Sequence, residues 1–287
     1  MIQSETPTFP YEIRPIERLE QLHACEAVAK LVWQVDDREI VPASHLRSLA
    51  HGGGLVAGAF LDGALVGFTV GFLARHDEDV DVGFHSHLMG VLPEHRRAGV
   101  AHALKWFQRR WCLERGLPWI TWTFDPLQAT SAHLNLERLG AVGERYARDY
   151  YGSLGGVRFG SLPTDRILMR WSLDDERVQR LARSAQARQD GAAAAALDPA
   201  PSDDPAWALP VEADGAPGDP RLDVRAPWIR VAVPTAFEPL LYQDPARAEA
   251  WRLAVRRAME TYMGRGYRAV RFLEGTFLLQ DTRSPNT

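Results

Sequence analysis

The sequence predicts an α/β (α+β) fold: a mixed central sheet flanked by helices, with a small α/β extension at the C-terminal end. Three observations predict it. Apolar runs of strand length alternate with amphipathic helical stretches through about residue 173, the pattern of a layered α/β domain. Asp62-Gly63 lies between two apolar runs, an antiparallel hairpin signal, so the sheet is not purely parallel. A tract rich in Pro, Asp, Ala and Gly follows, and order then returns as strand, helix, strand, strand. Three regions result: 1–173, a charged helix and Pro/Ala/Asp-rich linker over 174–226, and a β-α-β-β extension over 227–287.

The elements follow in order. Tyr11 to Ile16 reads as a short strand. Arg18 to Trp33 is helical, with Leu19, Leu22, Cys25 or Glu26, Ala29 and Val32 or Trp33 near helical spacing. Pro42 to Leu49 is a second helix, broken by the glycines 52 to 54. Leu55 to Phe60 and Ala64 to Phe72 are the hairpin strands, and His76 to Asp81 is a charged loop without calcium-loop spacing. His85 to Val91 is the next strand. Gly99 to Arg115 is a helix with Leu104, Phe107 and Trp111 on one stripe, ended by Gly116 and Pro118. Trp119 to Phe124 is a strand, Ser131 to Leu139 a short helix, and Arg145 to Tyr151 and Ile167 to Leu173 are later strands. In the extension, Trp228 to Val233, Tyr267 to Leu273 and Thr276 to Leu279 are strands around the helix Pro245 to Met263. This piece is too small to stand alone, so it packs on the first region or on a partner subunit, which allows a homodimer.

Bulk properties exclude several classes. The chain of 287 residues is 46% hydrophobic and 24% charged, with a net charge of -4. That balance suits a globular protein and argues against nucleic acid as partner. Two cysteines, Cys25 and Cys112, make neither a disulfide framework nor a metal cluster, and fit a reducing compartment. The histidines show no metal-ligand spacing, so no metal is expected. Met1 to Pro15 lacks a signal pattern and no stretch is apolar enough to span a bilayer, so the expectation is a cytoplasmic protein without a membrane partner.

The chemistry concentrates between His85 and Ala101. A strand runs into a glycine-containing turn and then a helix, whose first N–H groups and dipole make an anion site. Arg96 and Arg97 add charge, Gly99 lets the backbone approach an anion closely, and Ala101 is small. The turn lacks the Lys-Ser/Thr of a phosphate-binding loop and the three-glycine dinucleotide pattern.

The segment Val91-x-Pro93-x-x-Arg96-Arg97-x-Gly99-x-Ala101 resembles the acyl-CoA-binding motif of the GNAT N-acetyltransferase superfamily, and the element order agrees from about Tyr11 to Leu173. The resemblance implies a GNAT fold with splayed central strands, acetyl-CoA as co-substrate, and 1–173 as the acyl-CoA-binding acetyltransferase domain. It implies that backbone groups of Met89, Gly90 and Val91 bond the pantetheine and polarise the acetyl carbonyl. It gives Arg96, Arg97, Ala98, Gly99, Val100, Ala101 and His102 to the pyrophosphate. The run Asn135 to Ala141 is similar to the family's helix ending in an Asn-to-Leu-Gly-Phe pattern, which gives Asn135 to the pantetheine arm.

Side chains alternate along a strand, which predicts His85, His87, Met89 and Val91 on one face. Histidine suits amine deprotonation near neutral pH. His85-Ser86-His87 is similar to the strand of arylalkylamine N-acetyltransferases, where a His-x-His relays the amine proton through water. His85 and His87 are therefore the candidate catalytic residues, with His87 nearer the acetyl carbon; polar core histidines are the plainer alternative. The tyrosine that protonates the leaving thiolate in those relatives is matched here by Leu136, which leaves Tyr146, Tyr150, Tyr151 or solvent. Asp125 is either a turn initiator or an anchor for a cationic amine. Thr123 to Leu127 and Pro163 to Arg166 also resemble a group of bacterial acetyltransferases, and that likeness names no substrate. The expected function is direct transfer of an acetyl group to a small-molecule primary amine; the alternative is a non-catalytic CoA-binding domain with an assembly-forming tail.

Overall fold

The computed structural model describes residues 9–76, 79–152, 162–189 and 204–283. In chain order the elements are β1 (Glu12–Pro15), α1 (Leu19–Trp33), α2 (Ala43–His51), β2 (Leu55–Leu61), β3 (Ala64–Ala74), β4 (Gly83–Val91), α3 (Val100–Leu113), β5 (Trp119–Phe124), α4 (Ala129–His133), β6 (Val142–Ala147), β7 (Arg166–Ser172), α5 (Glu176–Gln189), β8 (Ala206–Leu209), β9 (Trp228–Ala232), α6 (Phe237–Gln243), α7 (Pro245–Gly264), β10 (Tyr267–Leu273) and β11 (Thr276–Asp281). They form two compact units, one from Met1–Thr121 and Ser172–Ala196, the other from Trp122–Trp171 and Leu197–Thr287. Among the described residues, no helix is long and apolar enough to cross a membrane.

In the first unit the strands follow the order β1-β2-β3-β4-β5. Neighbours are antiparallel up to β4, and β4 pairs in parallel with β5. The β2–β3 turn places Asp62 at φ 50° and Gly63 at φ 83°, the two left-handed positions that make Asp-Gly a hairpin turn. Leu22, Cys25, Val28 and Val32 of α1 and Leu46 of α2 pack with Phe60, Phe68 and Val70 of the sheet. Val100 and Leu104 of α3 pack with Ala59, Val66 and Val91. Gly67 permits that approach, since a Cβ there would lie 3.3 Å from Val100.

In the second unit the order is β5-β7-β6-β10-β11-β9-β8. β10 joins β6 antiparallel at Ala269↔Gly143, where a Cβ on Gly143 would lie 3.0 Å from that of Ala269. Helix α7 buries Trp251, Val255, Met259 and Tyr262.

Several boundaries differ from expectation. Ala206–Leu209, inside the predicted linker, is strand β8, because its apolar residues pair in parallel with β9. β6 starts at Val142, not Arg145, and ends before a turn where Asp149 has φ 40°. The helix expected over Ser131 to Leu139 is α-helical only over Ala129–His133; Leu134–Arg138 is a π-turn. Helix α6 was not foreseen, since Pro239 in so short a segment reads as a breaker. Of the predicted linker, residues 190–203 lie outside the described residues.

Candidate functional site

The turn before α3 has the build an anion site needs. Gly99 is the residue before the helix, at φ 85° and ψ 0°, and Arg97 stands at φ 65°. Only glycine takes the first conformation without strain. The first intrahelical bond runs from the Ala103 N–H to the Gly99 carbonyl, and no side chain caps the helix start. The N–H groups of the first turn are those a helix leaves for an outside acceptor. Arg96, Arg97, Ala98 and Gly99 are exposed there. Arg96 Nε also donates to the Val91 carbonyl at 3.3 Å, which ties its guanidinium to the end of β4. Val100 is buried, and Ala101 is half-buried against the cluster around Val91. His102 Nε2 accepts from Trp106 Nε1 at 2.7 Å. Phe9 sits beside the loop, 3.7 Å from where a Cβ on Gly99 would be. Replacing Gly99 with alanine is expected to cost about 1–2 kcal/mol, the penalty of a left-handed backbone with a Cβ, measurable by thermal denaturation.

The predicted single face of His85, His87, Met89 and Val91 does not exist. Pairing of β3 with β4 runs Val70↔Leu88 and then Gly71↔Ser86, so His87 is an extra residue, a β-bulge. The bulge reverses the alternation. His85 pairs with Phe72, on the face of Val70, while Met89 and Val91 pair with Thr69 and Gly67 on the opposite face. Gly71 makes room for this: a Cβ there would lie 2.5 Å from the His85 carbonyl oxygen. Gly71, the second of two glycines inside an apolar strand, was the available signal for a bulge.

The two histidines still share a site. Their rings lie 6.4 Å apart, and Phe72 stands 5.3 Å from His85 and 5.8 Å from His87. His85 Nδ1 is 3.1 Å from Thr121 Oγ1, and either tautomer serves that bond. Burial, aided by His87, Lys105 and His76, pushes the His85 pKa down to about 4. His87 is exposed, yet desolvation by its surroundings and then His45 hold its pKa below the ordinary value. The His85 ring is thus neutral at neutral pH, and the His87 pKa is shifted in the same direction. Pairing of β4 with β5 is limited to Phe84↔Ile120 and His85↔Thr121.

Four buried polar residues beside this strand escaped the sequence reading: Thr69, Ser86, Lys105 and Gln108. Lys105 and Gln108 interrupt the apolar stripe of α3 between Leu104 and Trp111, which was the readable sign. Cys112 is buried and its thiol is pushed up to about 12, chiefly by burial, so it stays protonated at neutral pH.

In the second unit, Asn135 and Leu136 are buried in the π-turn, and the Asn135 carbonyl accepts from the Ala141 N–H. Asp125 is not an open anchor for an amine. Its carboxylate takes both ends of the Arg252 guanidinium at 2.9 and 2.7 Å and caps Leu127 N–H. Asp165 likewise takes Arg256 at 2.7 and 2.8 Å and the Tyr146 hydroxyl at 2.7 Å. Burial raises the Asp165 pKa, but the bonds from Arg256, the Asp149 N–H and Tyr146 outweigh it and hold the carboxyl below its usual range. Burial and then Asp165 push Tyr146 well above an ordinary phenol, so it is a poor proton donor. Tyr151 meets Thr123 Oγ1 at 3.0 Å, and Tyr150 and Tyr151 are exposed. Both acids of the bacterial-acetyltransferase pattern are therefore anchors for arginines four apart on α7. Replacing Arg256 with methionine is expected to lower stability by about 3 kcal/mol, since Asp165 would be left buried and unpaired; urea denaturation measures it.

Comparison with known proteins adds a family. Residues 13–141 match the model of the acetyltransferase (GNAT) family. Several solved structures are similar. The ribosomal-protein-S18-alanine N-acetyltransferase of Escherichia coli is 16% identical, at a TM-score of 0.45 over 57% of this chain and 95% of its own. The Salmonella typhimurium protein yncA, solved with acetyl-CoA, is 17% identical, at 0.46 over 58% and 96%. Ard1 from Thermoplasma volcanium is 18% identical, at 0.43 over 56% and 96%. A comparison with curated proteins finds no match. Over residues 13–141, this chain is therefore similar to the acetyltransferases of the GNAT family.

Proposed function

We propose that this protein moves an acetyl group from acetyl-CoA to a small-molecule primary amine, in one direct step. The observation that carries the reading is the helix start at Gly99, left without a side-chain cap beside two exposed arginines. Such a start suits the pyrophosphate of the co-substrate. The thioester supplies an activated acyl group; the chain's residues do the rest. The N–H groups of Arg97 to His102 and the guanidinium groups of Arg96 and Arg97 would hold the phosphates. Met89, Gly90 and Val91 lie on the stretch of β4 beyond its recorded β5 pairs, where backbone groups suit the amides of a pantetheine arm in the manner of an added strand. Asn135 is kept as a contact for that arm on family resemblance.

His87 is the proposed base. Its neutral ring accepts the proton of the incoming ammonium, directly or through water, and His85 acts as a relay held by Thr121. The pKa of about 4 makes His85 too weak a base to act alone. Leu136 donates no proton and Tyr146 is committed to Asp165, which leaves Tyr150, Tyr151 or solvent as the general acid.

Thiol release from acetyl-CoA with a panel of primary amines tests the reading. Turnover is expected for the wild type, and His87→Ala should lower kcat by about 10²–10⁴ with acetyl-CoA affinity unchanged. The acid limb of the profile should fall below the ordinary histidine value of about 6.5, because the His87 pKa is lowered. Arg96→Ala and Arg97→Ala should each weaken acetyl-CoA binding by about 10- to 100-fold, less in high salt, read by calorimetry. The buried Leu136 favours a second reading, a CoA-binding domain without turnover. Tight CoA binding with no amine accepted would establish that reading instead.

A further inference from the structure

Four buried polar side chains stand behind the bulge, and the transfer proposed above uses none of them. Lys105 and Gln108 come from α3, Thr69 from β3 and Ser86 from β4. They are 2%, 0%, 0% and 5% exposed. Lys105 Nζ donates to Ser86 Oγ at 2.8 Å, and Ser86 Oγ donates to Gln108 Oε1 at 3.1 Å. Gln108 Nε2 donates to Thr69 Oγ1 at 2.7 Å, and Thr69 Oγ1 donates to the Leu88 carbonyl at 3.1 Å.

The direction of this run is forced. A backbone carbonyl only accepts, so Thr69 donates to Leu88, Gln108 Nε2 donates to Thr69, Gln108 Oε1 accepts from Ser86, and Ser86 in turn accepts from Lys105. Gln108 can serve both neighbours with its amide in a single orientation. A run satisfied at every link holds its members in one arrangement.

The two residues it holds on β4 are Ser86 and Leu88, one on each side of His87. A bulge breaks the strand ladder, so the backbone there is short of ordinary restraints. The hydrogen-bond run replaces them from behind. Lys105 also contributes to the lowered pKa of His85, after burial and His87.

We propose that Lys105, Gln108 and Thr69 are positioning residues that hold the bulge from both sides and so set where the His87 ring stands for proton transfer. The inference rests on the acetyl-transfer reading, but its first test does not need turnover. Full-length protein with ¹³C at the histidine Cε1 positions reports the His87 ring directly, with His87→Ala assigning its signal. Thr69→Val keeps the shape and deletes the link between Gln108 and the Leu88 carbonyl, and Thr69→Ser keeps the hydroxyl.

In Thr69→Val the His87 signal should move and kcat should fall at least tenfold, with acetyl-CoA affinity within twofold of wild type. Thr69→Ser should restore both. Should Thr69→Val not fold, Ser86→Ala cuts the same run at another link and is read the same way. An unmoved His87 signal in a folded variant overturns the proposal. So does a Thr69→Ser protein that behaves like Thr69→Val, because loss of packing alone would then explain the effect. If the wild type accepts no amine, the functional reading falls separately, and the His87 signal alone decides whether the run positions that ring.

Discussion

Replacing Glu137 with alanine is expected to destabilise the protein by about 3–5 kcal/mol. Glu137 is fully buried and Arg271 is 7% exposed. Arg271 Nε and Nη2 donate to the carboxylate at 2.9 to 3.1 Å, and the Phe272 N–H donates to it at 2.7 Å. Alanine leaves a buried guanidinium without this counter-charge and a strand N–H without this acceptor. Glutamine should cost less, because it still accepts from Phe272. The double replacement Glu137→Leu with Arg271→Met should recover most of the loss, since apolar groups of similar volume need no partner. Urea denaturation with a control on the slope would measure all three. A loss under about 1 kcal/mol for Glu137→Ala would mean that water reaches the pair.

Lys105→Met is expected to do the opposite and stabilise the fold at neutral pH, by about 1–4 kcal/mol. Burial pushes the Lys105 pKa down from 10.5 to about 7. Between those values the unfolded chain binds a proton that the folded chain does not. Stability therefore rises as pH climbs from about 7 towards the unfolded value of about 10.4, and the penalty is complete at and below the folded pKa. Methionine removes the penalty, and with it this slope. Unfolding measured at pH 7 and pH 9.5 should show the wild type gaining on the variant as pH rises. The same replacement removes the head of the run that holds the bulge, so a more stable protein should turn over more slowly. Such an exchange of activity for stability is common where a costly polar group serves a site. If Lys105→Met were less stable than wild type at pH 7, its bond to Ser86 would outweigh its desolvation.

What could be read from the chain followed the range of the interaction. The Asp62-Gly63 turn, the glycine turn at Gly99 and the helix after it were legible because adjacent residues decide them. The face of His85 was not. Strand parity is a local rule, and it failed where β3 forced an extra residue into β4 at His87, a matter of register between two strands. Asp125 and Asp165 were visible as members of a pattern. Their roles depend on Arg252 and Arg256, which approach only when α7 packs in the second unit. β8 was lost inside a Pro-rich composition because its strand character comes from pairing with β9.

The sequence by itself determined the class of the fold and the glycine turn that opens α3. Backbone conformation, a helix dipole and fixed charges are properties of short segments. Only the tertiary structure decided which face each histidine takes, that Lys105 is buried, and that both signature acids are occupied by arginines. Those outcomes depend on desolvation and strand register, which exist only after distant segments have met.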